Sequence, residues 1–482
     1  MRYTAIALDY DGTIAHDSEV PAHVLAGLRR LKASGRKLLL VTGRELEELL
    51  GIFPEIGLFD RVVAENGALM YCPEGGKRKE LGEPPPVEFV DRLRASGIPL
   101  AVGHTIVATV RPHETVVLQA IADLGLEQQV IFNKGAVMVL PPGCNKASGL
   151  KTALQELGLS PRNCVAAGDG ENDHALLDMA EYSVATANAV PTLKDAADYV
   201  TRQVRGDGVL EVVDGIIEND LAGLPPKRRR RALCLGKDST GQEVVLPSRR
   251  ASLLIAGDER TTLELSHAVL DRLCKAGYQA CVLDTHHEYS GFKSAVLFGT
   301  EDNPPAVGEV LTALEKPEVE VVVSLAAVPQ EKRPGFVDKL LVPLTKLREA
   351  TGRPHWIVVD EASHLLPAHG LDGRPTPGAE NTIYVSTDAA SISPHVLAAV
   401  DGIAACGDEA PEILERIAKA AAWPVPQIPA APRDGQALLW FRKSERPVAL
   451  IDIAVVKAEP VSDKPEQRRE KSVEVGKVLR QA

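Results

Sequence analysis

Through the first half of the chain, short and almost wholly apolar runs alternate with stretches whose apolar residues recur every three to four positions. The runs fall at 6–8, 37–41, 61–64 and 164–167. Brief runs without polar alternation predict strands buried on both faces. Between the first two, Val24, Leu25, Leu28 and Leu31 mark one face of a helix over 21–34, which Gly35 stops. A shorter helix is predicted over 45–50. Strand-helix-strand order with short connections predicts right-handed crossovers and a parallel sheet, and hence an α/β fold.

Three prolines at 84–86 interrupt this order. From 87 to 139 the pattern predicts helix, strand, strand, helix, strand, with strands at 100–102, 106–110 and 136–140. That is a small α+β insertion. The chain then returns to a helix from Lys146 that buries Leu150, Leu154 and Leu157, with Gly158 as its stop.

The ends of these elements carry the chemistry. Asp9 and Asp11 close the first run before Gly12 and Thr13. Thr42, Gly43 and Arg44 close the second, and Gly168-Asp169-Gly170-Glu171-Asn172-Asp173 closes the run at 164–167. Ligands of parallel α/β sheets sit at the carboxyl ends of strands, so these side chains would share one site. Asp9/Asp11, Thr42, Lys146 and Asp169/Asn172/Asp173 resemble, in order, the four signatures of the haloacid dehalogenase superfamily. The insertion resembles the cap of its Cof-like branch. Glu65-Asn66-Gly67, Asn188-Ala189 and residues 206–209 stand where that branch has similar pieces.

The resemblance covers about residues 1–220 and implies a phosphohydrolase that uses Mg²⁺. Asp9 would be nucleophile and metal ligand, and Asp11 the acid and base, with its backbone carbonyl on the metal. Asp169 and Asp173 would complete the metal site. Thr42, Gly43, Lys146 and Asn172 would hold the phosphoryl group, with Arg44 and Asn66 as substrate contacts. Plainer roles exist for several: Thr42 as a helix cap, Lys146 as a solvated base, Asp173 as an acid at a helix start. Substrates would be small phosphomonoesters such as sugar phosphates or phosphoglycolate. Two other functions fit: a phosphomutase or phosphotransferase using the same Asp9 intermediate, and a regulatory or ATP-binding protein acting through the second half.

In that second half, residues 235–247 predict a hairpin, and 251–257 a buried strand before an amphipathic helix through Leu265, Val269 and Leu273. Further strands follow at 281–284, 319–324 and 356–360. The order resembles P-loop ATPases of the FtsK/HerA type, with Asp360 and Glu361 as a vestigial Walker B pair. The phosphate loop departs from that pattern. Residues 257–262, Gly-Asp-Glu-Arg-Thr-Thr, lack the second glycine and the lysine that cradle phosphates, and carry two acids that repel them. The expectation is a degenerate domain that does not turn over nucleotide. Asp284, His286, His287 and Glu288 form a weaker candidate metal cluster.

Composition narrows the setting. A formal charge of −12 over 482 residues argues against a nucleic-acid surface spread over the whole molecule. The basic run Lys227–Arg231 has no interleaved aromatics for base stacking. Seven cysteines without a Cys-x-x-Cys pair predict reduced thiols in a cytoplasmic protein. The start shows no basic-then-apolar leader, and no run is long enough to span a bilayer. The expected organisation is a phosphatase core at 1–82 and 141–222, a cap at 83–140, a basic linker at 223–231, a P-loop-like domain at 232–456 and a flexible tail at 457–482.

Overall fold

The computed structural model describes residues 1–227, 230–248, 251–292, 294–367, 380–442 and 447–453. The expected tail, and Arg228 and Arg229 of the expected linker, lie outside the described residues. The fold is α/β, in two compact units, Met1–Arg230 and Arg231–Ala482.

In the first unit an eight-stranded sheet runs in the order Tyr199–Val200, Tyr182–Ala185, Cys164–Gly168, Ala5–Leu8, Lys37–Val41, Arg61–Ala64, Leu69–Cys72, Lys77–Glu80. The first six are parallel, and the last two turn back antiparallel. Alternate residues of each strand enter opposite cores, as the period of two requires. Ile6, Leu8, Leu38 and Leu40 pack with Val24, Leu28 and Leu31 of helix Ala22–Ala33 and with Val209, Val212 and Val213 of helix Arg205–Asn219. Ala5, Ala7, Leu39 and Val41 pack on the other face with Leu150 and Leu154 of helix Lys146–Glu156. Helices on both faces leave only the strand ends open to a ligand.

The insertion is a four-stranded antiparallel sheet in the order Ala101–Val102, Val107–Val110, Ala136–Leu140, Gln129–Asn133. Helices Val87–Ala95 and Glu114–Asp123 cover one face through Phe89, Leu93 and Val117. Ile106, Met138 and Leu140 pack on the other side with Ala68 and Cys144. The strand Gln129–Asn133 is absent from the sequence expectation. It joins Ala136–Leu140 through Lys134 and Gly135, both at positive φ (47° and 89°), a tight-turn geometry that usually announces itself as Asn-Gly.

Among the described residues the second unit is built on an eleven-stranded sheet. Seven strands, Gly402–Cys406, Ser252–Ala256, Thr382–Ser386, Trp356–Val359, Ala280–Asp284, Glu320–Ser324 and Ala295–Phe298, lie parallel in that order. Gln436–Phe441, Ala449–Ile453, Leu233–Asp238 and Glu243–Leu246 extend it antiparallel. Among the described residues no helix is long and apolar enough to cross a membrane.

Candidate active site

Three strand ends and one helix start build the site of the first unit. Leu8 lies opposite both Leu40 and Ala167, so Asp9, Thr42 and the loop at Asp169 leave the sheet at one level. Helix Lys146–Glu156 is fixed by a capping box in which Asn145 accepts from the Ala147 and Ser148 amides. Its first residue sends an ammonium into the site: Lys146 Nζ donates to Asp9 Oδ1 at 2.6 Å and to Asp173 Oδ1 at 2.7 Å. Asp173 Oδ2 accepts the backbone amides of Asp169 and Gly170 at 3.0 and 2.9 Å. A Cβ on Gly168 would stand 2.7 Å from that oxygen, so the loop closes this tightly only on glycine. Thr13 Oγ1 donates to Asp9 Oδ2 at 3.0 Å, a contact that sequence reasoning missed.

Charge is concentrated here. Asp9, Asp169 and Asp173 are all buried and offer oxygens within 4.8 Å of one another. Burial, and then Asp173, push the Asp9 carboxyl up to about 7 against the opposing pull of Lys146. Burial raises Asp169 as well. For Lys146, burial disfavours the charge, but Asp173 and Asp9 outweigh it and hold the ammonium above the ordinary lysine value.

Asp11 stands apart from the three-carboxylate cluster. Its carboxylate is taken by Arg44, with Nε to Oδ2 and Nη2 to Oδ1, while Arg44 also reaches Ser18 Oγ and Glu48. Arg44, expected at the substrate, thus has protein partners for its whole fork. Thr42 is buried and its Oγ1 accepts the Arg44 amide at 3.1 Å. Gly43 faces Asn172 and Asn66, whose side chains join through Asn172 Nδ2 to Asn66 Oδ1 at 2.9 Å. Asn172 Oδ1 is buried with no hydrogen-bond partner. The sequence-derived residues therefore meet in one place, with Asp11 and Arg44 on its rim.

Two further side chains belong to the site. Asn188 Nδ2 donates to Gly12 O and to Asp169 Oδ2 at 2.8 and 3.0 Å. Lys134, from the insertion, sets its ammonium 2.9 and 2.8 Å from the two Asp169 oxygens and 3.1 Å from the Asp11 carbonyl. Nothing in the sequence reading pointed to it; the signal was the glycine that follows it. Glu65, wholly buried, fastens the insertion: it accepts the amides of His104, Thr105 and Ile106 and the Thr105 hydroxyl.

The donor set fits a hard divalent cation. It is all oxygen, it is buried, and a protonic cation, Lys134, is already drawn to its edge. Of Asp11, the carbonyl, not the carboxylate, faces this position.

In the second unit Asp360 is buried and Thr285 Oγ1 donates to it at 2.8 Å. Burial, with Asp284 and Glu361 adding to it, pushes its carboxyl up to about 7. Glu361 sits in the left-handed region at φ 47°. His286, Glu288 and Asp360 offer atoms within 4.8 Å of one another; His287 instead meets Ser324. At the start of helix Glu259–Lys275, Asp258 accepts the Thr261 amide at 3.0 Å and its hydroxyl at 2.6 Å. A carboxylate of the chain thus occupies the N-terminal turn of this helix.

Fold and site together define a hydrolase class. The model of the haloacid dehalogenase-like hydrolases matches residues 6–79 and 117–213, and the chain belongs to that family through its first unit. It is an enzyme. Among its relatives, a phosphoglycolate phosphatase of Methanothermobacter thermautotrophicus is 31% identical over 221 residues, 43% of this chain and 96% of that protein. A phosphoglycolate phosphatase of Natronomonas pharaonis is 32% identical over 226 residues, 44% of this chain and 98% of that one.

Proposed function

We propose that the first unit is a Mg²⁺-dependent phosphatase of small phosphomonoesters, with phosphoglycolate-like acids and sugar phosphates as its substrate class. The observation that carries this reading is Lys146 bridging Asp9 and Asp173 beside Asp169. Asp9, Asp169, Asp173 and the Asp11 carbonyl would hold a cation, which would supply the positive charge that lets a carboxylate approach a dianionic phosphoryl group.

Asp9 attacks phosphorus, forming an Oδ–P bond as the ester P–O bond breaks, and Asp11 gives its proton to the leaving oxygen. Water then attacks the aspartyl-phosphate and passes its proton to Asp11. The Oδ–P bond breaks, releasing phosphate and restoring the Asp9 carboxylate. Lys146 holds Asp9 in place and opposes its charge. The Thr42 hydroxyl, the Gly43 amide and the Asn172 amide donate to phosphoryl oxygens.

The test is a panel of phosphorylated metabolites with Mg²⁺ on the whole chain and on Asp9→Asn. Release of inorganic phosphate should fall by roughly 10³-fold or more in the variant. Transfer of phosphate to a second alcohol in preference to water would instead select a phosphotransferase.

We read the second unit as a P-loop-like domain without a phosphate cradle. Asp258, held at the helix start by Thr261, supports this, because a phosphate there would meet a carboxylate. Seven free thiols suit a reducing, cytoplasmic setting.

A further inference from the structure

We propose that Lys134 is the residue with which the insertion recognises a carboxylate on the leaving group of the substrate, and that a bound cation releases it for this by taking its place on Asp169 and Asp11. The inference rests on the phosphatase reading and deepens it. The Lys134 ammonium touches both Asp169 oxygens and the Asp11 carbonyl, which are donors the cation needs. A cation on Asp169 and the Asp11 carbonyl would compete with the ammonium for the same oxygens, and its double charge favours it.

What moves is only the side chain. The backbone of Lys134 is set in a tight turn with Gly135. Its amide lies 3.4 Å from Glu171 Oε2, and a Cβ on Gly170 would stand 2.6 Å from Asn133 Oδ1, so the turn is seated against the loop. The displaced ammonium therefore swings on its flexible stem but stays at the site. The other cationic groups described there are committed. Lys146 lies between Asp9 and Asp173, and Arg44 is held by Asp11, Glu48 and Ser18. The phosphoryl charge is met by the cation, Lys146 and the amide donors. The charge left for Lys134 is one elsewhere on the substrate. A carboxylate on the leaving group is a charge that an ammonium on a flexible stem can pair with.

Two measurements on the whole chain test this. Mg²⁺ alone is titrated calorimetrically into metal-stripped wild type, Lys134→Met and Lys134→Arg. Lys134→Met should bind Mg²⁺ roughly three- to tenfold more tightly, and Lys134→Arg close to wild type. Then kcat/KM is compared for phosphoglycolate and for 2-hydroxyethyl phosphate, which lacks the carboxylate. The preference for phosphoglycolate should drop about tenfold in Lys134→Met and be largely kept in Lys134→Arg. Unchanged Mg²⁺ affinity, or an unchanged preference, overturns the proposal. If wild type hydrolyses neither ester nor any other, the phosphatase reading fails, while the titration still decides whether Lys134 holds the place of the cation.

Discussion

Arg44 grips both carboxylate oxygens of Asp11, through Nε at 2.6 Å and Nη2 at 2.7 Å. The planar fork fixes the plane of the carboxylate as well as its charge. Because the proposed acid and base must meet the leaving oxygen at hydrogen-bond distance, its orientation is part of the reaction. Arg44→Lys keeps the charge and loses the fork, and kcat should fall by about tenfold or more with a smaller change in KM. Steady-state kinetics of the variant check this. An unchanged kcat would remove Arg44 from any positioning role.

Asp9 gives a pH dependence with a definite sign. Its carboxyl is raised to about 7 from 3.8, by burial first and by Asp173 second. Without cation, the folded form holds a proton that the unfolded chain releases. The stability this group contributes is fully present below pH 3.8 and is lost as pH rises through about 7. Cation binding needs the ionised form, so the gain in Tm on adding Mg²⁺ should be larger at about pH 8 than at about pH 6. Thermal melts at the two pH values with and without Mg²⁺ decide it, and a larger gain on the acid side contradicts the assignment.

Lys146→Met leaves Asp9 and Asp173 buried without their shared counter-charge. Breaking a buried pair from one side costs about 3–5 kcal/mol, so a urea melt should show a loss of that order in unfolding free energy. A loss below about 1 kcal/mol would mean that the two acids simply take up protons instead.

Glu65→Gln removes the charge that gathers four donors from residues 104–106. The expected loss is about 1–3 kcal/mol, concentrated at the insertion. Amide exchange should quicken at Thr105 and Ile106 more than in strand Ala5–Leu8. Uniform quickening would place the effect elsewhere.

The first unit has its own cores on both faces of its sheet. A fragment of residues 1–230 should fold and keep phosphatase activity within about twofold of the whole chain. Arg230 belongs with that fragment, since its guanidinium bonds Asp198 at 3.0 Å and the carbonyls of Asp178 and Ala180. An inactive but folded fragment would make the second unit a required partner.

The central strands were legible because their chemistry is local. An apolar run ending in Asp9 and Asp11, or in Gly168 and Asp169, states its burial, its turn and its ligand groups within ten residues. The same held for the helix at Lys146, whose Asn145 cap is written beside it. What sequence missed depends on chain far away. Gln129–Asn133 is half-exposed and short, and its turn is Lys134-Gly135, not Asn-Gly, so neither periodicity nor turn chemistry marked it. Its loss concealed the lysine that reaches Asp169. Arg44 was read as a substrate contact because nothing in residues 42–48 reveals that Asp11 lies within its span. Asp258 is the reverse case: the acid was plain in sequence, and its bonds to the Thr261 amide and hydroxyl make it the cap of helix Glu259–Lys275.

Two of the attachments of the insertion differ in kind. At one corner Glu65 is wholly buried and accepts four hydrogen bonds, so pulling residues 104–106 away would break all four at once. At the other corner Lys134 lets go whenever a stronger positive charge arrives, and it is 44% exposed already. Because the turn at Lys134 stays seated against the loop and only its side chain is free, the insertion keeps its place while the charge it presents to the site changes.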